Sequence, residues 1–223
     1  MIVYHGSDHI IEVPVYNGSK RANDYGCGFY TTENKELAKE WACSKNRNGY
    51  ANSYEADLCN LSVLNLNAPG YSILNWLAIL AKYRTYWQKT SIAEEAKEYL
   101  HQNFFIDPTP YDVVIGYRAD DSYFSFAQDF VAGTISLNRL SKAMRLGNLG
   151  EQIVFKSEVS YSKIHFIEAE SVDAATYFEK KISRDREAQR AYRSSKKSSD
   201  SINELFMLDI MREGIKNGDP RLQ

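Results

Sequence analysis

No charge sign dominates this 223-residue chain. Its 27 Lys and Arg stand against 29 Asp and Glu, a net charge of −2. That excludes a broad electrostatic grip on nucleic acid and leaves only a local basic patch as a route to it. Cysteine is scarce. Cys27, Cys43 and Cys59 have neither pairing nor metal-ligand spacing, so a disulfide scaffold is not expected and a reducing, cytoplasmic compartment is. The longest apolar stretch, around Trp76 to Ala81, falls well short of the ~20 residues that cross a bilayer, so no membrane role is expected. The start of the chain reads as a strand and not as a signal peptide, and there is no internal repeat. What is abundant is tyrosine, at 16 residues, which favours aromatic pockets with polar edges. The 43% hydrophobic content is that of a globular protein. The length suits one full domain, or one domain with a sizeable appendage.

The pattern alternates short strands with helices. Strands are expected at Met1 to Tyr4, Tyr54 to Leu58, Leu61 to Leu66, Tyr111 to Tyr117, Gln152 to Phe155 and Lys163 to Ile167. Thr32 is the expected N-cap of a helix carrying Leu37, Ala38, Trp41 and Ala42. Between Pro69 and Ile106 the spacing predicts two helices, one around Ile73 to Leu80 and one from Ser91 to Phe104. Two more are expected, from Ser122 to Val131 and around Leu137 to Met144. From Val172 the chain is helical and charged, with Ala175, Phe178 and Ile182 as its apolar stripe. Ser194 to Ser201 is the best linker candidate. A last amphipathic helix is expected from Ile202 to Ile215, docking on the core or on a partner.

Three separated segments carry candidate chemistry. The first is Tyr4-His5-Gly6-Ser7 at a strand end. His5 can donate to a ligand hydroxyl from one ring nitrogen while a neighbour fixes the other, and Gly6 permits close backbone approach. The second is Gly26-Cys27-Gly28-Phe29-Tyr30-Thr31-Thr32. Here Tyr30 offers a stacking face, and Trp41, eleven residues on, offers a second. The third is Gly150-Glu151-Gln152-Ile153-Val154-Phe155. Glu151 at a strand mouth can hold a ribose hydroxyl and counter charge developing on an anomeric carbon. Gln152 alternates to the opposite face, so only one of the pair enters a pocket. Each residue also has a plain reading: a turn histidine, a hairpin glycine, a core tryptophan, a solvated glutamate. Asp120 and Asp121 lack further metal-ligand spacing and read as a turn or helix cap. Lys180 to Lys197 also contains acids and reads as a solvated helix face.

Together these segments resemble the signature segments of the diphtheria-toxin and poly(ADP-ribose) polymerase branch of the ADP-ribosyltransferases. The resemblance covers about 60 residues and implies an α+β fold, a split, twisted β-sandwich that binds NAD as substrate. Residues 1–171 would form the core, with 69–106 a helical insertion and 172–223 a helical C-terminal extension. It further implies that His5 touches ribose hydroxyls, that Gly6 clamps the nicotinamide amide and that Ser7 supports the adenosine-side ribose. Tyr30 and Trp41 would stack on nicotinamide, and Glu151 would be the catalytic carboxylate. Ala38 stands where many polymerase-like members have a serine. Leu149, two residues before Glu151, lacks the acid of the arginine-modifying branch. The chain also looks like bacterial domains of unknown function encoded beside small antitoxin-like genes. The implied function is ADP-ribose transfer to a protein or nucleic acid, as a toxin or defence effector with an antitoxin protein as partner. Two rivals stand beside it. One is NAD hydrolysis. The other is a non-catalytic module that binds NAD or presents Trp76, Tyr83, Tyr86 and Trp87 to a partner.

Overall fold

The computed structural model describes residues 1–19, 21–85, 90–119, 121–197 and 204–222. Among these residues seven strands form two sheets. One sheet is antiparallel throughout, in the order β1 (Ile2–Ser7), β3 (Gly49–Ala56), β7 (Ile164–Val172). The other runs β2 (Phe29–Thr31), β6 (Glu151–Phe155), β5 (Val113–Tyr117), β4 (Val63–Asn65), and its last pair is parallel. A bridge joins the sheets: Tyr4 N–H donates to the Thr32 carbonyl at 2.8 Å, and Thr32 N–H returns the bond at 3.0 Å. The class is mixed α+β, with no closed barrel among the described residues.

The helices are α1 (Lys35–Ala42), α2 (Ile73–Tyr83), α3 (Ser91–Phe104), α4 (Asp121–Val131), α5 (Leu137–Ala143), α6 (Glu158–Tyr161), α7 (Ala174–Lys196) and α8 (Met207–Arg212). The helical stretch 69–106 lies between β4 and β5. A parallel pair cannot close with a tight turn and needs a crossover; α2 and α3 supply it, so this stretch is a working connection of the sheet. Asn34, and not Thr32, caps α1. Asn34 Oδ1 accepts from Leu37 N–H, because Thr32 is held in the bridge to Tyr4 and its hydroxyl accepts from Asn34 N–H instead.

Two cores follow from β6 being buried on both faces. Ile153 and Phe155 pack with Val3, Phe29, Tyr54 and Ile164. Val154, on the other face, packs into a larger core with Trp76, Tyr123, Phe126 and Phe130. Trp76 is therefore interior and offers no partner face; Tyr86 and Trp87 lie outside the described residues. The expected stripe of α7 holds in part: Phe178 packs, partly buried, against the cluster of Ala42, Val172 and Ala174. Ala174, Ala188 and Tyr192 are its buried residues, while Ala175 is exposed. Of the C-terminal stripe, Met207, Ile210 and Ile215 are buried in the main core and Leu208 is exposed. Tyr99 hydroxyl donates to the Ile215 carbonyl at 2.9 Å and fixes this end to α3. The stripe docks on the core; Ile202 lies outside the described residues.

Candidate functional site

β1 and β2 leave the bridge side by side, and a cleft of about 630 Å³ opens beside them. His5, Tyr30, Gln152, Asp24, Arg84 and Arg118 line it, with the segment from His9 to Ser19 as a further wall. That volume lies in the range of small-molecule sites. His5 Nδ1 sits 2.7 Å from the Tyr30 carbonyl. A carbonyl only accepts, so Nδ1 carries the proton and Nε2 of the neutral ring is an acceptor. Burial is the main force holding the His5 pKa below its ordinary value. The Tyr30 carbonyl opposes this, and the Arg118 charge assists it. The free ring nitrogen is thus an acceptor for a hydroxyl, where the sequence suggested a donor.

Tyr30 is fixed at its far end. Its hydroxyl donates to the Gly26 carbonyl at 2.6 Å and accepts from Tyr25 N–H at 3.0 Å. Burial pushes its phenol well up, so it stays neutral. Gly26 has φ +78°, a left-handed conformation that suits glycine, and this bend brings its carbonyl to Tyr30. Gly28 is needed for space, since a Cβ there would lie 2.6 Å from Val154 Cγ1.

The third segment enters this cleft through Gln152. Tyr30 pairs with Val154 across β2 and β6, and side chains two apart on a strand share a face. Gln152 therefore lies on the Tyr30 face, and Glu151 on the face of Ile153 and Thr31. Glu151 lines a different cleft, of about 1050 Å³. It is exposed and accepts from Asn67 Nδ2 at 2.7 Å. The expectation that Glu151 faces His5 and Tyr30 is corrected by the register. Gln152 is 4% exposed, and its buried Oε1 has no hydrogen-bond partner among the described residues.

The other expected residues stand around the cleft and do not line it. A Cβ on Gly6 would lie 2.0 Å from the Ala38 carbonyl oxygen, so this glycine lets α1 pack on β1. Ser7 accepts from Asn52 Nδ2 at 2.9 Å and donates to the His9 carbonyl, which ties down the start of the following loop. Trp41 is covered by Arg118, whose guanidinium carbon lies 3.1 Å from the ring centroid. Asp120 lies outside the described residues, and Asp121 opens α4.

The sequence reading missed Asp24, Arg84 and Arg118. Arg84 Nε donates to Asp24 Oδ1 at 2.8 Å, and Asp24 Oδ2 accepts from Ala119 N–H at 2.9 Å. Burial pushes the Asp24 carboxyl up, against the pull of Arg84. Arg84 and Ala119 stand 60 and 95 positions from Asp24 in the chain, with no motif to join them. Only the topology brings them together.

The chain is thus an α+β protein of two small sheets with a cleft beside their junction. The family described as "Protein of unknown function (DUF3990)" matches residues 1–166, and the chain belongs to that family. No curated protein and no solved structure matches it. No helix among the described residues is long and apolar enough to cross a membrane.

Proposed function

We propose that the cleft binds NAD and that the protein transfers ADP-ribose to a macromolecular acceptor, a protein or a nucleic acid, with release of nicotinamide. The observation that carries this reading is the orphaned, buried Oε1 of Gln152, a residue that lines one cleft with His5 and Tyr30. An unpaired buried acceptor costs about 1–3 kcal/mol, which a ligand donor relieves. A ribose with vicinal hydroxyls supplies two such donors, one for Gln152 and one for His5. Tyr30 gives the nicotinamide ring an apolar face. Ile10, Val13 and Val15 are exposed in the cleft wall and suit an adenine.

In the transfer step the bond between the ribose anomeric carbon and the nicotinamide nitrogen breaks. Its electron pair goes to the nitrogen, so the cationic ring leaves neutral. The acceptor nucleophile gives its pair to the anomeric carbon and its proton to solvent. The oxocarbenium-like transition state gains from the Gln152 carbonyl dipole. A dipole does less than a carboxylate, so the neutral Gln152 favours one second reading, an NAD-binding module without turnover.

The test incubates purified protein and cell lysate with labelled NAD. Nicotinamide release and transfer of label to protein or nucleic acid are expected, both lost in Gln152→Leu. Release without transfer makes the protein a glycohydrolase. Binding without release makes it a module. Absence of binding overturns the NAD reading. The role of a bacterial toxin or defence effector rests on resemblance; growth arrest on expression of wild type but not of Gln152→Leu is its test.

A further inference from the structure

Lys156 follows directly on β6, and its ammonium is bonded to backbone. Nζ donates to the Tyr25 carbonyl at 2.6 Å and to the Cys27 carbonyl at 2.8 Å. Lys156 N–H donates to the Asp112 carbonyl, so the strand pattern runs on to it and its side chain falls on the face of Val154. Gly28 shows the same placement: a Cβ there would stand 2.6 Å from Val154 Cγ1 and 3.6 Å from Lys156 Cγ. Burial pulls the Lys156 pKa below its ordinary value. A cation drawn out of water is costly unless it is hydrogen-bonded, and the two carbonyls supply those bonds.

The two carbonyls flank Gly26. Three successive carbonyls therefore divide between two side chains. Those of Tyr25 and Cys27 turn to Lys156, and that of Gly26 turns to the Tyr30 hydroxyl. Tyr25 N–H, in the same bend, donates to that hydroxyl. Both anchors of the Tyr30 ring thus belong to the bend that Lys156 holds. Strand pairing does not need this contact, because Tyr30 and Val154 are already partners across β2 and β6. What the ammonium adds is the direction of the Gly26 carbonyl and the Tyr25 N–H.

We infer that Lys156 is a positioning residue for the cleft, acting through Tyr30 by fixing the bend that holds its hydroxyl. Lys156 itself does not line the cleft. Without the ammonium the Tyr25 and Cys27 carbonyls lose their donors and turn to water, the bend shifts, and the ring loses its fixed placement. The consequence for ligands rests on the NAD reading of the cleft; the placement of Tyr30 does not.

The experiment compares wild type, Lys156→Met and Lys156→Arg. NMR of protein carrying isotope-labelled tyrosine reads the rings directly, the Tyr30 signal being the one missing from Tyr30→Phe. That signal is expected to shift in Lys156→Met and to return towards its wild-type position in Lys156→Arg, which keeps the charge and the donors. The signal of Tyr99, bonded to the Ile215 carbonyl, is expected to stay. Calorimetry adds the ligands. Lys156→Met is expected to weaken NAD binding about three- to tenfold, the scale of one aromatic contact. ADP-ribose has no nicotinamide ring and should lose less than about twofold. In a Tyr30→Ala background the same substitution should change NAD binding by less than about twofold, because the residue it acts through is gone. General loss of structure would weaken both ligands alike and would not depend on Tyr30. Melting curves identify variants that fold; should Lys156→Met not fold, Lys156→Gln, shorter and uncharged, takes its place. An unmoved Tyr30 signal overturns the inference and leaves the NAD reading standing, as do equal losses for NAD and ADP-ribose. If wild type binds neither ligand, the NAD reading falls, and the Tyr30 signal alone decides the role of Lys156.

Discussion

Glu151 and Gln152 are neighbours in the chain, and they face different clefts. Glu151 is exposed and shares a hydrogen bond with Asn67. Gln152 is buried with an unpaired carbonyl oxygen. The acid costs little where it is, because water solvates it. At position 152 an unpaired carboxylate would carry a far larger desolvation penalty than a neutral amide. Chemical type alone favoured Glu151 as the working group. Burial and lack of a partner favour Gln152, because a buried group left unsatisfied is the one that gains from a ligand.

The largest effect is expected at Gln152. Gln152→Leu keeps the approximate volume and removes the acceptor. NAD turnover should fall about 10²-fold, the scale of one preorganised electrostatic contact. Unfolding free energy should rise by about 1–3 kcal/mol, since an acceptor already unpaired is being removed. Urea unfolding and a nicotinamide-release assay check both. A variant that keeps full turnover would break the assignment of the cleft face.

Next comes Tyr30. Tyr30→Phe strands the Gly26 carbonyl and the Tyr25 N–H, which should cost about 1–3 kcal/mol of stability, read from the urea midpoint. The ring remains, so NAD affinity in the folded variant should fall less than in Tyr30→Ala. Equal losses in the two variants would mean that the hydroxyl, and not the ring face, matters to the ligand.

A smaller effect is expected from acid. His5 has a folded-state pKa below its ordinary 6.5. Between the two values the unfolded chain binds the proton and the folded one does not, so the neutral ring's contribution is complete above pH 6.5 and declines as pH falls below it. The slope from this one group is at most about 1.4 kcal/mol per pH unit. His5→Gln should flatten that part of the profile. NAD affinity should also drop on protonation, because Nε2 then ceases to accept. A profile unchanged in His5→Gln would place the acid sensitivity elsewhere.

Much of the architecture was legible because long periodic segments fix element type. The helices of residues 91–104 and 121–131 and the strands at 113–117 and 151–155 fall where the apolar spacing places them. The failures have physical causes. The face of β6 could not be read from alternation, because Ile153 and Phe155 on one side and Val154 on the other are all apolar, and both sides are buried. On α7 Phe178 was placed correctly and Ala175 was not, because few of its 23 residues are buried, which leaves a weak periodic signal. In the cleft, His5 and Tyr30 were found because each sits in a distinctive local segment. Arg84, Arg118 and Asp24 were not, because their meeting depends on where the crossover helices return the chain. Trp41 was recognised as aromatic, but nothing near it in sequence signals that Arg118 covers it.

The smallest effect is expected at Glu151, and it tests the comparison most directly. Glu151→Gln leaves an acceptor for Asn67 Nδ2 and removes one charge from an exposed position. Surface charge pairs and single exposed hydrogen bonds contribute about 0–1 kcal/mol, so stability should barely move. Turnover should stay within about threefold of wild type, because the carboxylate faces away from His5 and Tyr30 and a charge screened by water acts weakly across the sheet. Nicotinamide release by Glu151→Gln and Gln152→Leu, measured side by side, gives the ratio that decides. A Glu151 variant losing as much activity as the Gln152 variant would show that the strand turns in the working protein or that the larger cleft takes part in the chemistry. Raising ionic strength separates these two. A through-space charge effect fades as salt screens it, whereas direct contact between Glu151 and the reacting sugar, in a dry site, does not.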